Sequence, residues 1–198
     1  MLAVLPFKHL GRSEDAYFTD GVTEELTHRL ASLPGIGVIS RTSADQYKGT
    51  SKGLRQVADE LGVQYVLEGS VEWDSPTIGN TRRLRVTPHL VRVRDDRQVW
   101  AERYDAPATD VFTVQGDIAG RVADALDVAL RAPARRALSD RPTDNLDAWG
   151  FYVRAKELSP QLDMETRRGA VSLLERAIAL DPHFGYAIAS ASGCRMHI

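Results

Sequence analysis

The sequence predicts an α/β fold with a mixed sheet and packed helices, followed by an all-α segment. Three observations carry that prediction. Short apolar runs alternate with amphipathic helical stretches as far as Trp73, in the order strand, helix, strand, helix, strand. With short joints, that βαβαβ order belongs to a layered sheet with parallel pairing. Two stretches of alternating character then follow, separated by a turn, as an antiparallel meander requires. Beyond a polar, proline-bearing stretch at 131–145 only helical periodicity is left.

The apolar run "LAVLPF" at 2–7, ended by proline, has the pattern of a strand buried on both faces. A polar loop, "KHLGRSEDAY", comes next. Val22, Leu26, Leu30 and Leu33 then recur at steps that draw one apolar stripe on a helix. After "LPG", the run "IGVIS" at 36–40 reads as a second short buried strand. "GLRQVADELGV" places Leu54, Val57, Ala58 and Leu61 on one helical face and stops at Gly62, where a left-handed cap is cheap. "QYVLEGSVEW" at 64–73 is the third strand.

The turn-rich "DSPTIGNT" at 74–81 leads into "RLRVTPHL", where Leu84, Val86, Pro88 and Leu90 share one face. Val91 and Val93 break that phase, as a bulge near Pro88 or burial of both faces would make them. "RDDR" makes the turn and "QVWAERY" at 98–104 returns. A long helix follows, with Thr109 or Asp110 as N-cap and Val111, Val114, Ile118, Val122, Ala125 and Ala129 at helical spacing. The expected organisation is an α/β domain at 1–131, a linker at 132–145, and helices at 146–198. The helical signals run over 146–158, over 164–180 and from Phe184 onward, with Asp181-Pro182 between the last two.

Bulk properties exclude several classes. A net charge of −2 built from mixed signs leaves no broad basic field for nucleic acid. The single cysteine, Cys194, rules out an internal disulfide framework. No apolar run approaches the roughly 18 residues of a membrane span, and "MLAVLPF" is too short for a signal-peptide core. A cytoplasmic chain with no membrane contact is therefore expected.

"YFTDGVTEEL" sets Asp20, Glu24 and Glu25 close together, as an acid–base pair or metal ligands would be. No nucleophile, base or histidine pair lies nearby. The residues read instead as a helix start, with Thr19 or Asp20 as N-cap and Glu24 and Glu25 in the first turn, favoured by the helix dipole. One turn on, Glu24 can meet His28 and Glu25 can meet Arg29.

"SRTS" at 40–43 follows the second strand, at the edge where α/β sheets bind ligands. Arg41, Thr42 and Ser43 are therefore the candidate site for a phosphate or carboxylate, unless Thr42 and Ser43 cap a short helix and Arg41 pairs with Glu68. "YKGTSKG" lacks the GxxxxGK[ST] order of a phosphate loop and reads as a solvated turn. The histidines show no metal-binding spacing, the arginines of 82–97 read as the wet face of a hairpin, and the tryptophans read as packing. No catalytic residue, metal or cofactor is expected.

Six stretches in one order carry a resemblance: "LAVLPF", "YFTDGVTEEL", "VISRTSADQYKG", "ADELGVQYVLEGSV", "VWAERYD" and "FTVQGDIA". Together they resemble the TolB-like N-terminal domain, also called FlgO-like, of bacterial regulatory proteins. Two departures stand out: Asp95-Asp96 occupies a turn that usually holds glycine, and Gly116 a position that tends to be acidic. The spacing of Phe151, Ala155, Ala170, Leu174, Ala177 and Pro182 resembles a tetratricopeptide repeat, with "FGYAIASA" opening an incomplete second one. An unfinished repeat should leave apolar surface on its last helix.

The resemblance implies a non-catalytic sensory or interaction module that works beside an effector: a winged-helix DNA-binding domain, a class III adenylate cyclase or a kinase. It also implies a protein partner on the helical surface, with homo-oligomers as a further option. In some relatives the module follows a membrane span and lies outside the cytoplasm. The alternatives are an anionic-ligand receptor using Arg41, Thr42 and Ser43, alone or with residues of the Lys8–Tyr17 loop, or the accessory part of a cyclase whose catalytic domain lies elsewhere.

Overall fold

The structure is a computed structural model that describes residues 1–73, 82–158 and 164–195; the turn-rich stretch at 74–81 lies outside the described residues. The chain divides into two compact units, Met1–Asp140 and Arg141–Ile198.

The first unit is a mixed sheet with helices on both faces. Its elements begin with β1 (Leu2–Val4), β2 (Lys8–Leu10), α1 (Ala16–Ser32), α2 (Arg41–Asp45), α3 (Leu54–Leu61) and β3 (Tyr65–Trp73). They continue with β4 (Arg83–Arg92), β5 (Arg97–Ala101), β6 (Tyr104–Pro107), α4 (Val111–Ala125) and α5 (Ala132–Ala137). β3 is central: β1 and β2 lie parallel to it on one side, and β4 antiparallel on the other. β5 and β6 both pair with the far edge of β4.

The opening apolar run is two strands. Val4 stands opposite Leu67 and Lys8 opposite Ser70, so three residues, Leu5 to Phe7, face two, Glu68 and Gly69. Pro6 sits in that bulge, where its missing N–H costs no ladder bond. The expected polar loop therefore starts later, because Lys8–Leu10 is β2. Gly69 is required here: a Cβ on it would lie 2.8 Å from the Phe7 ring and 2.5 Å from the Thr87 carbonyl.

The strand expected at 36–40 is reduced to a single parallel bridge between Leu2 and Val38. The Gly37 carbonyl accepts from the Leu2 N–H, and Ile39 N–H donates back to the Leu2 carbonyl. The hairpin follows its pattern: Leu84, Val86, Pro88 and Leu90 are buried, and the register shifts between Leu90 and Val91. Thr87 and Pro88 fall in the gap where β4 changes partner from β6 to β5, which accommodates a proline mid-strand.

α1 and α4 pack together on one face, over buried Leu67, Val71, Leu84, Val86 and Leu90. Phe18 of α1 meets Trp73 of β3 edge to face. On the opposite face, among the described residues, the helical cover lies at one end: Val57 and Ala58 of α3 pack with Ala3, Leu5, Val63, Val66 and Val93. Gly62 ends α3 at φ +66, as its position implied. α4 stops at Ala125, short of Ala129, and the proline-bearing stretch beyond it carries α5.

In the second unit α6 (Leu146–Leu158) packs on α7 (Met164–Leu180), and α7 on α8 (Gly185–Arg195). Trp149, Val153, Ala155, Ala170, Leu174 and Ala177 are buried, while Tyr186 and Ile188 of α8 are exposed. Asn145 caps α6, its side-chain carbonyl accepting from Ala148 N–H at 3.0 Å.

Candidate functional site

The acidic cluster of α1 is not a helix start. The helix begins at Ala16, so Thr19, Asp20, Glu24 and Glu25 lie inside it and the dipole argument for them fails. Thr19 is buried and accepts from or donates to His9 Nδ1 at 2.9 Å, and Thr23 Oγ1 donates to the Thr19 carbonyl. Each carboxylate is held by a cation. Lys48 Nζ binds both oxygens of Asp20 at 2.7 and 2.6 Å. Arg41 Nη1 pairs with Glu24, and Arg29 Nε donates to Glu25 at 2.8 Å. Asp20 and Glu24, one helical turn apart, thus fasten α2 and the loop after it to α1.

Arg41, Thr42 and Ser43 do not converge on a vacant anion cradle. Arg41 is engaged by Glu24 and, at 3.1 Å, by Asp45; the expected pair with Glu68 is not made. Burial opposes its charge, but those two carboxylates outweigh burial and hold its pKa above the ordinary value. Ser40, not Thr42 or Ser43, is the cap of α2, its hydroxyl accepting from Ser43 N–H at 3.4 Å. Thr42 is exposed.

A concavity of the first unit lies next to this, on the half of the sheet that α3 leaves open. It is a cleft of about 730 Å³ between the β1–β2 bulge, the 47–52 loop and the middle of β3 and β4. Leu5, Leu54 and Val57 give it an apolar wall, and Lys8, Lys48 and Lys52 line it with Glu68, Ser70 and His89. Lys52 and Tyr47 converge on Glu60 at 2.7 Å each, with Gln56 at 3.0 Å. Those hydrogen bonds, Lys52's first, bring the Glu60 carboxyl down to about 2. His9 is tied to Thr19 and, at 2.7 Å, to the Arg12 carbonyl, a structural role. Among the described residues no group of histidine, cysteine and carboxylate side chains could hold a metal ion.

Sequence reasoning named Glu68 as a partner for Arg41 and the loop from Lys8 as part of an alternative anion site, but it did not bring Lys8, Glu68 and His89 together. Glu68 and His89 are register partners on β3 and β4, one row beyond Val66 and Val91. The polar phase of each strand was readable, but not which rows α3 would cover.

Fold and site define an α/β domain with a mixed sheet, joined to a helical segment. Residues 1–121 match the family described as HilA/YgeH-like transcriptional regulator, second domain, and the chain belongs to that family. A protein of Rhizobium meliloti (strain 1021) named "Putative adenylate cyclase 3" is 34% identical over 192 residues. That match covers 96% of this chain but 32% of the relative, so the chain spans about a third of it. TolB from Acinetobacter baumannii matches 66% of this chain and 29% of its own at 14% identity, with a TM-score of 0.48. A lipoprotein from Neisseria meningitidis matches 65% of this chain and 98% of its own, at 13% identity and a TM-score of 0.46. The PelC dodecamer from Paraburkholderia phytofirmans matches 54% of this chain and 70% of its own, at 20% identity and a TM-score of 0.40. Among the described residues no helix is long and apolar enough to cross a membrane.

Proposed function

We propose that this chain is a non-catalytic regulatory module of a larger protein, making protein–protein contacts on behalf of an effector elsewhere in that protein. The observation that carries the reading is the fate of Asp20, Glu24 and Glu25, each ion-paired to a cation that holds the fold together. A pair of carboxylates acting as acid and base needs one of them free to exchange protons with substrate. Membership in a regulator-domain family supports the same reading, as does a relative about three times longer that bears a cyclase name.

In this reading α6, α7 and α8 are tetratricopeptide-type helices that present a surface to a protein partner. Burial of Ala170, Leu174 and Ala177 supports it, as do exposed Tyr186 and Ile188 on the last helix, which also offer a route to self-association. The domain division proposed is 1–140 and 146–198 with a connection at 141–145; the first boundary lies later than the expected 131 because the Leu138 and Asp140 carbonyls accept from Arg29. An anionic ligand at Arg41, Thr42 and Ser43 is the second reading. It requires Arg41 to exchange Glu24 and Asp45 for the ligand.

The test has two arms. The purified chain is assayed for ATP cyclisation and hydrolysis, with no turnover expected. The full-length Rhizobium meliloti relative is compared with a version lacking the matching segment, and a changed response with surviving chemistry is expected. Turnover by the chain alone, or a deletion without effect on output, overturns the proposal.

A further inference from the structure

We propose that the cleft beside β3 and β4 binds a small apolar zwitterion, a free α-amino acid or a dipeptide. This goes beyond the regulatory reading and does not rest on it.

The charges of the cleft divide into two kinds. Lys48 and Lys52 are matched by Asp20 and Glu60. Lys8 and Glu68 make no ion pair or hydrogen bond among the described residues. Glu68 is half-buried, where an uncompensated carboxylate is costly. The Nδ1 of neighbouring His89 is buried without a partner, so polar capacity at this spot is unmet twice over.

Geometry sets the ligand's charge pattern. Lys8 stands opposite Ser70, and Glu68 opposite His89. Opposed residues share a face of the sheet, so Lys8 and Glu68 project from adjacent rows, about 7 Å apart along the strands. A molecule bridging them presents an ammonium to Glu68 and a carboxylate to Lys8, the two groups only a few bonds apart. A simple anion leaves Glu68 unmatched and repelled, and a simple cation does the same to Lys8. The wall of Leu5, Leu54 and Val57 beside these charges favours an aliphatic side chain. Gly49, at φ +69, turns the 47–52 loop that lines the cleft.

Titration calorimetry on the whole chain tests this with L-leucine, L-leucyl-L-leucine, 4-methylpentanoate (leucine without its amine) and L-leucinamide. At least one zwitterion should bind saturably, and the tighter of the two identifies the source. Both single-charge analogues should bind at least about tenfold more weakly, about 1.4 kcal/mol. Glu68→Gln should weaken the zwitterion by a similar factor while 4-methylpentanoate binds as well or better; Lys8→Met should weaken the zwitterion while leucinamide binds as well or better. Both sites are on the surface of the cleft, and circular dichroism establishes that the variants fold. The proposal is overturned if neither zwitterion saturates in the low millimolar range. It is equally overturned if 4-methylpentanoate binds as well as leucine, or if both variants bind as the parent does. Such a failure leaves the regulatory reading standing, because that rests on the paired carboxylates of α1.

Discussion

Arg29 donates from Nη1 to the backbone carbonyl of Leu138 at 2.6 Å, joining positions 109 residues apart. The same guanidinium donates to the Asp140 carbonyl at 2.7 Å and to Glu25 at 2.8 Å, and it is 5% exposed. One buried cation thus closes α1 onto the segment after α5. Arg29→Met should cost about 3–5 kcal/mol, because it strands a buried carboxylate and two carbonyls together. Urea unfolding measures it, and a loss under about 1 kcal/mol would show the latch to be ornamental.

The same contacts fix where the first unit can be cut. A chain ending at Asp140 keeps Leu138, which is buried, and both acceptors of Arg29. A chain ending at Arg131 loses all three. The longer fragment should melt cooperatively and the shorter should melt well below it or stay unfolded, as followed by circular dichroism. Equal melting temperatures would contradict this account.

Glu25 gives the latch a pH signature. Burial raises its carboxyl pKa above the ordinary 4.5, outweighing the pull of Arg29. The folded protein therefore keeps this proton to higher pH than the unfolded chain. Glu25's contribution is full below 4.5 and is lost as pH rises through the raised folded value. Glu25→Gln removes that titration. Its stability relative to the parent should climb over this window, read from urea midpoints between about pH 4 and 7. A difference that falls with pH would refute the assignment.

Gly116 is a mid-helix glycine whose replacement by alanine would ordinarily gain about 1 kcal/mol. Here an added Cβ would lie 2.1 Å from the Leu138 carbonyl oxygen, so the docked segment must move. Gly116→Ala should therefore destabilise, by about 1–3 kcal/mol. A raised melting temperature would show that the segment yields freely.

Gln115 is fully buried, and neither atom of its amide finds a hydrogen-bond partner. Nothing in the structure explains this amide. Gln115→Met, of similar shape, should stabilise by about 1–3 kcal/mol by removing the unmet polar group. Destabilisation would mean that the amide is satisfied in solution.

Local pattern was enough for much of the fold. The stripe of Leu54, Val57, Ala58 and Leu61 with Gly62 placed α3, and the alternation through Leu84, Val86, Pro88 and Leu90 placed β4 and its buried face. These depend on neighbours along the chain. The start of α1 was misplaced by about a turn because Asp20, Glu24 and Glu25 look like dipole partners wherever they stand near a helix end. Their true partners, Lys48, Arg41 and Arg29, include two from outside the helix.

The sequence by itself determined the βαβ-then-meander order, the helical second unit and the regulator-type resemblance, since periodicity and motif order are written residue by residue. Tertiary structure alone decided that "IGVIS" makes one bridge rather than a strand, that Arg29 latches a distant segment, and that α3 covers half a sheet face. Those outcomes depend on which surfaces meet across tens of residues, and chain closure over such distances leaves no local periodicity to read.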